Sequence, residues 1–273
     1  MLLPTSVVGS HGLPGWVWLA REAMEAGRLG ATDVRELMED ATQAALLDQE
    51  RAGIDVVTTG EMMRVRFIIG FYDRITGIRR LAPPRKLGAP LWDTNTPFDV
   101  VERIGAPDGL GIVEEWKLAR ALTTKRLKAT VPGPYTLLVP LRLGGGYRDK
   151  ETLLADLVAI VNAECRALVA AGCDFIQIDE PQSGMYAGAA PQFNKGVNRA
   201  VDGVNAKIAV HICSATCTVG PSPRCATFAM SIPRCTISRP RRSCSSMPTA
   251  AWTTSGSGRS SRPTRSSAPA SST

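Results

Sequence analysis

Along residues 1–213, short apolar runs rich in β-branched residues alternate with longer stretches whose apolar positions recur every three or four residues. The runs read as strands: Thr5–Val8, Ile54–Thr58, Phe98–Ile104, Leu127–Val131, Cys173–Asp179 and Ile208–Cys213. The longer stretches read as amphipathic helices. Thr32 is the expected N-cap of one, with Val34, Leu37, Met38, Ala41, Ala44 and Ala45 on one face and Gly53 as its stop. A second, over 149–171, carries Leu153, Leu154, Leu157, Ile160, Val161, Leu168 and Val169 at helical spacing and ends at Gly172. A Pro-rich excursion from Leu81 to Pro97 interrupts the alternation and reads as an inserted loop.

Strands alternating with helices predict parallel β/α units. Six units in 213 residues average about 35 residues each, near the spacing of an eight-unit barrel of about 250 residues. The expected fold is therefore an α/β, incomplete (β/α)8 TIM barrel of six units. A doubly wound open sheet would place its ligands at the same strand ends. Two missing units leave the edges of the first and sixth strands open.

Composition divides the chain at Cys213. Residues 1–213 hold 24 Lys and Arg against 25 Asp and Glu, so they are almost neutral. Residues 214–273 hold 8 Arg, 15 Ser, 9 Thr and 7 Pro and no Asp, Glu or Lys. The formal charge of +7 thus resides in the tail and does not argue for specific nucleic-acid binding. The expected organisation is a barrel over 1–213 and a low-complexity, disordered tail over 214–273. Phe228–Ile232, the tail's apolar cluster, is cut off by Pro233 and is not expected to supply a strand. The tail reads most economically as a frame-shifted translation of a GC-rich gene, with a natural low-complexity segment as the alternative. Cys165 and Cys173 lack disulfide-framework spacing, which suits reduced thiols. With no signal-peptide pattern and no apolar run of roughly 18 residues, a cytoplasmic protein without a membrane anchor is expected.

Candidate chemistry gathers at strand ends. His211 and Cys213 lie two apart on a strand and share a face, as two ligands of one zinc would; a buried His and Cys closing a core strand is the alternative. Asp179 and Glu180 close the strand before Pro181, and Glu61 follows Gly60 after another; a carboxylate there must be paired, capping a helix or exposed. A capping role suits Glu180 better than Asp179. Gly9 and Ser10 follow the first strand, where small residues let backbone approach a ligand.

In order along the chain, LLPTSVVGS, VVTTGEM, VPGPYTLL, FIQIDEP and VHIC resemble the catalytic barrel of the cobalamin-independent methionine synthase family, over about Leu3 to Cys213. The resemblance implies a zinc-dependent methyltransferase. Zinc binds the thiol of homocysteine, and the thiolate takes a methyl group from a methyl-folate or methyl-corrinoid donor, the latter carried by a corrinoid protein. It also implies that His211 and Cys213 are zinc ligands, that Glu61 and Asp179 hold the substrate's amino group, and that the backbone of Val8, Gly9 and Ser10 receives its carboxylate. The chain departs from the family pattern in several places. The remaining zinc ligands, a glutamate and a second cysteine, would come from strands seven and eight, and the tail contains no glutamate. A later family histidine has no counterpart, since the histidines are His11 and His211. Gln182-Ser183-Gly184-Met185 stands where another acidic residue is expected, and the N-terminal barrel of the long enzymes is absent. Impaired activity is the expectation. A zinc transferase or lyase for another thiol such as coenzyme M, and a non-catalytic fragment, are the competing readings.

Overall fold

Parallel strands laid down in chain order form the wall of the molecule. The computed structural model describes residues 4–64, 69–81, 97–181, 190–213 and 227–232, all within the unit Met1–Ile237. In chain order the elements are α1 (Gly15–Glu25), α2 (Ala31–Arg51), β1 (Val56–Val57), α3 (Ile69–Tyr72), β2 (Thr76–Arg80), β3 (Phe98–Gly105), α4 (Ile112–Leu122), β4 (Arg126–Leu127), β5 (Ala129–Pro132), α5 (Pro134–Leu138), β6 (Leu141–Arg142), α6 (Lys150–Ala170), β7 (Phe175–Asp179), α7 (Ala190–Ala200), β8 (Lys207–Cys213) and β9 (Thr227–Ile232).

Ser6 bridges Val56 in parallel, and β1 pairs β4 in parallel. Lys128, between β4 and β5, donates its N–H to Val57 O, so the two short strands act as one stave. β5 then pairs β7 and β7 pairs β8, both in parallel. The Ser6 bridge and four staves, β1, β4–β5, β7 and β8, therefore follow one another in sequence order, without the reversal that marks a doubly wound sheet. Every residue of β5 and β7 is buried, as expected of parallel strands covered on both faces.

The strand predicted over Phe98–Ile104 is not part of this wall. As β3 it pairs antiparallel with β2 and in parallel with β6, in a separate three-stranded sheet. Its burial explains the difference. Phe98, Val100 and Ile104 are buried, while Val101, Glu102 and Arg103 are exposed, which suits a sheet with one solvated face. The wall thus has four staves where six were expected: Phe98–Ile104 lies elsewhere, and Thr5–Val8 forms no strand, only a single bridge at Ser6. The ends of the Pro-rich excursion are joined by the Leu81 N–H donating to Pro97 O; residues 82–96 lie outside the described residues.

The tail also departs from expectation. Thr227–Ile232 forms β9, antiparallel to β8 from Ile208↔Ile232 to Cys213↔Thr227. The ladder ends at Ile232, the residue before Pro233 in the sequence. The edge of β8 is therefore covered from Ile208 to Cys213. The rest of the tail, 214–226 and 233–273, lies outside the described residues.

Helices pack over the wall by the stripes the sequence shows. α2 buries Met38, Ala41, Thr42, Ala45, Leu46 and Gln49. It begins at Ala31, one residue before the expected cap Thr32: the Asp33 carboxylate accepts from Gly30 N–H at 2.8 Å and supplies the cap from within the first turn. α6 starts as expected, with Asp149 accepting from Thr152 N–H, and buries Leu153, Leu154, Leu157, Val161 and Leu168. Cys165 and Cys173 are buried free thiols, and burial pushes Cys165 up to about 12.

α4 is fixed from outside. The buried Glu164 of α6 accepts from the N–H groups of Leu110 (2.7 Å), Ile112 (2.8 Å) and Val113 (3.2 Å). It satisfies donors that the first turn of α4 leaves open and places a carboxylate at the positive end of that helix. Glu164→Gln turns an amide N–H toward one of these donors, and the folded protein is expected to lose about 1–3 kcal/mol. Urea unfolding followed by circular dichroism measures the loss; an unchanged midpoint would remove Glu164 from the forces fixing α4.

Candidate active site

Side chains at alternate positions of a strand share a face, and in the parallel register Thr130 stands beside Gln177 and Asp179 beside His211. Lys128 shares a face with Thr130, and Gln177 with Asp179. Five polar side chains are thereby directed to one place with little solvent, where they must satisfy one another. Lys128 Nζ donates to Gln177 Oε1 (2.7 Å) and to Val7 O (2.8 Å). Gln177 Nε2 donates to Asp179 Oδ1 (2.7 Å) and to Val8 O (2.9 Å). His211 Nδ1 lies 3.0 Å from that same Asp179 oxygen. His211 Nε2 is buried and has no hydrogen-bond partner among the described residues.

A second cluster adjoins the first through Thr130. Glu61 Oε1 accepts from Thr130 Oγ1 (3.0 Å) and pairs with Arg64 Nη1 (3.1 Å), while Ser10 Oγ donates to Glu61 Oε2. Arg64 also pairs with Glu115 through Nε (3.0 Å) and donates to Thr130 O (2.7 Å). Glu115 in turn accepts from Thr59 Oγ1. One guanidinium thus sits between two buried carboxylates. Burial raises the Glu61 pKa above its ordinary value against the pull of Arg64 and Ser10, and the negative charges of Asp179 and Glu115 push the same way. Burial also pushes the Lys128 ammonium down to about 8, although both carboxylates pull it upward.

Backbone geometry at Glu61 is unusual. Its φ is +59°, in the left-handed region that a non-glycine residue occupies at a cost of about 1–3 kcal/mol. The turn is held from several sides: Thr59 Oγ1 accepts from Glu61 N–H, Thr58 Oγ1 donates to Gly9 O, and the His11 N–H donates to Gly60 O. Gly9 is required by proximity, since a Cβ there would lie 2.5 Å from Glu61 Oε1. Val8 contributes its carbonyl to Gln177, and Ser10 its hydroxyl to Glu61.

Glu180, next to Asp179 in sequence, faces another way. Its carboxylate accepts from Tyr135 N–H, Thr136 N–H and Thr136 Oγ1 at the start of α5, the capping role its position suggests. A Cβ on Gly133 would overlap it. His11 is peripheral, with Nε2 3.3 Å from Asp48 Oδ2.

Among the expected site residues, Ser10 bonds Glu61 with Gly9 close against it, and Asp179 meets His211; Glu61 bonds Thr130 on β5, the strand adjacent to that of Asp179. Cys213 shares the strand face of His211 by backbone register; its side chain lies outside the described residues, as do Gln182–Met185. Arg64, Glu115, Lys128, Thr130 and Gln177 escaped the sequence reading. Lys128 and Gln177 carried a signal, being long polar residues inside strands otherwise read as apolar; Arg64 and Glu115 belong to different elements and carried none.

Zinc can be weighed against this donor set. A buried imidazole with one nitrogen held by a carboxylate and the other unpartnered is the arrangement of a metal-ligating histidine. His211 therefore fits as a ligand, although no group of three or more His, Cys, Asp or Glu side chains converges among the described residues. No described helix is long and apolar enough to cross a membrane.

A parallel β/α wall with titratable residues at its C-terminal strand ends defines an α/β protein of the class that assembles small-molecule sites at that rim. A family profile described as "Cobalamin-independent synthase, Catalytic domain" matches residues 3–219, and the chain belongs to that family. Over 213 residues it is 33% identical to a methionine synthase of Sulfurisphaera tokodaii and 36% identical to one of Saccharolobus solfataricus, covering 78% of this chain in each case and 62% and 63% of those proteins. The chain thus spans less than two thirds of the curated relatives it matches. A B12-independent methionine synthase from Shewanella sp. W3-18-1, solved in complex with selenomethionine, superposes with a TM-score of 0.64 at 29% identity, over 78% of this chain and 62% of that one. A Listeria monocytogenes structure with a TM-score of 0.62 at 18% identity, covering 78% of this chain and 67% of that chain, shares the fold. Membership in a cobalamin-independent family gives no support to a corrinoid protein as partner.

Glu180 makes stability depend on pH. Burial pushes its carboxyl up to about 7 from an ordinary 4.5, so between these values the folded chain holds a proton that the unfolded chain has released. Its contribution is full below about pH 4.5 and is lost as pH rises to about 7. Thermal unfolding across this range should show stability falling in the wild type relative to Glu180→Gln; parallel curves would contradict the assignment.

Proposed function

We propose that residues 1–213 form the homocysteine-binding part of an incomplete (β/α)8 barrel, in a zinc-dependent methyltransferase that passes a methyl group from methyl-folate to the thiol of homocysteine. The observation that carries this reading is His211: buried, its Nδ1 against Asp179, its Nε2 without a described partner, in a segment matched to the cobalamin-independent synthase family. The methionine synthase relatives supply the reaction class, and a soluble, cytoplasmic setting is the corresponding proposal.

In this reading His211 Nε2 and Cys213 would hold zinc, which when bound would supply Lewis acidity toward the substrate thiol. The chain's own groups do the positioning. Asp179 orients the imidazole through Nδ1. Glu61, held by Arg64, Ser10 and Thr130, presents a carboxylate to the substrate ammonium, and Asp179 adds a second negative charge within reach. The backbone of Val8, Gly9 and Ser10 receives the substrate carboxylate. Arg64 offsets part of the repulsion among Glu61, Glu115 and Asp179 while the ammonium is absent.

The hydrogen bond between Asp179 and His211 changes one expectation. If Glu61 and Asp179 did no more than hold the substrate's amino group, loss of either would weaken substrate binding far more than metal binding. With Asp179 on His211 Nδ1, Asp179→Ala should lower zinc affinity by about 10–100-fold as well. Glu61→Ala should lower homocysteine affinity and leave zinc affinity near that of the wild type. Isothermal titration with zinc alone, then with homocysteine, separates the two; equal zinc losses in both variants would contradict the division of roles.

We further propose that the chain as written turns over poorly and that its 214–273 tail arises by frame shift. A catalytic zinc needs three protein ligands, and the family's glutamate ligand has no source after Cys213, where the sequence contains no Glu. Zinc analysis of purified 1–273 and an assay of methyl transfer from methyl-folate to homocysteine test the first point, and robust turnover with one bound zinc would overturn it. Translating the other reading frames after codon 213 tests the second, which fails unless one of them continues with Glu- and Cys-bearing strand segments.

A further inference from the structure

Lys128 has no assigned role, yet it begins an unbroken chain of hydrogen bonds that ends at the imidazole of His211. Each link has one permitted direction. A lysine ammonium only donates, so the oxygen of the Gln177 amide must face Lys128. The Val8 carbonyl only accepts, so the amide nitrogen must face away from Lys128, where it also meets Asp179 Oδ1. Two independent neighbours thus fix an amide orientation that is otherwise ambiguous. The Asp179 oxygen that accepts from Gln177 is also the one beside His211 Nδ1, and as an acceptor it requires the imidazole proton to be on Nδ1. In the neutral ring Nε2 then carries a bare lone pair, and it is this atom that has no described partner.

We propose that Lys128 is a positioning residue: by orienting Gln177 it holds the Asp179 carboxylate against His211 Nδ1, and that acceptor fixes the Nδ1–H tautomer and leaves Nε2 bare to bind a metal. The proposal deepens the zinc reading above and relies on it only for the identity of the metal. The alternative role for Lys128, a counter-charge to the buried carboxylates, would operate without any particular orientation of Gln177. Its low pKa, about 8, reflects how completely the ammonium is withdrawn from water. The relay lies inside a wall whose residues are almost wholly buried: Lys128, Gln177 and Asp179 are each 3% exposed or less. Solvent therefore offers little competition for these hydrogen bonds.

The experiment reads the tautomer itself, by 15N–1H correlation spectra of the full chain, metal-free, at a pH where the rings are neutral. With only His11 and His211 present, His11→Asn assigns the signals. The wild type should show Nδ1–H at His211. Lys128→Met removes the donor that orients Gln177, and Gln177→Glu keeps an acceptor for Lys128 but turns an oxygen toward Val8 O and Asp179. Both should move His211 toward Nε2–H and reduce affinity for zinc alone by about 10–100-fold. Glu164→Gln, which destabilises the fold away from this relay, should leave the tautomer unchanged. An Nε2–H wild type overturns the proposal whatever the variants do. So does a folded Lys128→Met or Gln177→Glu that keeps the wild-type tautomer. If the wild type takes up no zinc, the zinc-enzyme reading falls while the tautomer measurement still decides the role of Lys128.

Discussion

The parallel register of β5, β7 and β8 is the constraint on which the rest of the site depends. It sets Thr130 beside Gln177 and Asp179 beside His211; β5 and β7 are buried along their length, and His211 itself is buried. Polar groups taken out of water there are destabilising unless each finds a partner, and these find one another, the carbonyls of Val7 and Val8, and Glu61. A shift of one residue in β7 would turn Gln177 and Asp179 to the opposite face and put Ile176 and Ile178 in their place. The register therefore fixes both which side chains meet and which atoms are left free, and among the described residues it leaves His211 Nε2.

The second cluster depends on charge and strain. Arg64 lies between Glu61 and Glu115, with the Thr130 carbonyl as a further acceptor, so the buried carboxylates are partly compensated before any ligand arrives. Removing the cation would leave two unpaired buried carboxylates, which is why such a group is strongly destabilising to break even when its net contribution to stability is small. Glu61 is held in left-handed backbone by the hydroxyl groups of Thr58 and Thr59, which precede it in the turn. Strain sustained by so many contacts is a mark of a preorganised site. The two clusters meet at Thr130, whose hydroxyl touches Glu61 and whose strand stands next to Gln177.

At the far edge of the wall, β8 is covered by an antiparallel strand, whereas neighbouring staves of a (β/α) barrel run parallel. An uncovered strand edge exposes a row of backbone donors and acceptors, and pairing with β9 satisfies that row from within the same chain. The sequence of β9 allows it: Phe228, Met230 and Ile232 alternate with Thr227, Ala229 and Ser231 at strand period. Composition averaged over the whole tail concealed this short local pattern.

The sequence by itself determined the alternation of strands and helices, the buried faces of α2 and α6, the gathering of Glu61, Asp179 and His211 at strand ends, and the family. These are legible because they rest on period, on chain order and on contiguous motifs, all properties of local sequence. Tertiary structure decided what depends on partners distant along the chain. Whether Phe98–Gly105 joined the wall turned on which of its faces would meet solvent. Arg64 gained its role from a carboxylate 51 residues away, and Gln177 its orientation from a lysine 49 residues away. The tautomer that Asp179 favours at His211 came from strand register, because a hydrogen bond across a sheet is defined by which residues stand side by side, and no single strand carries that information.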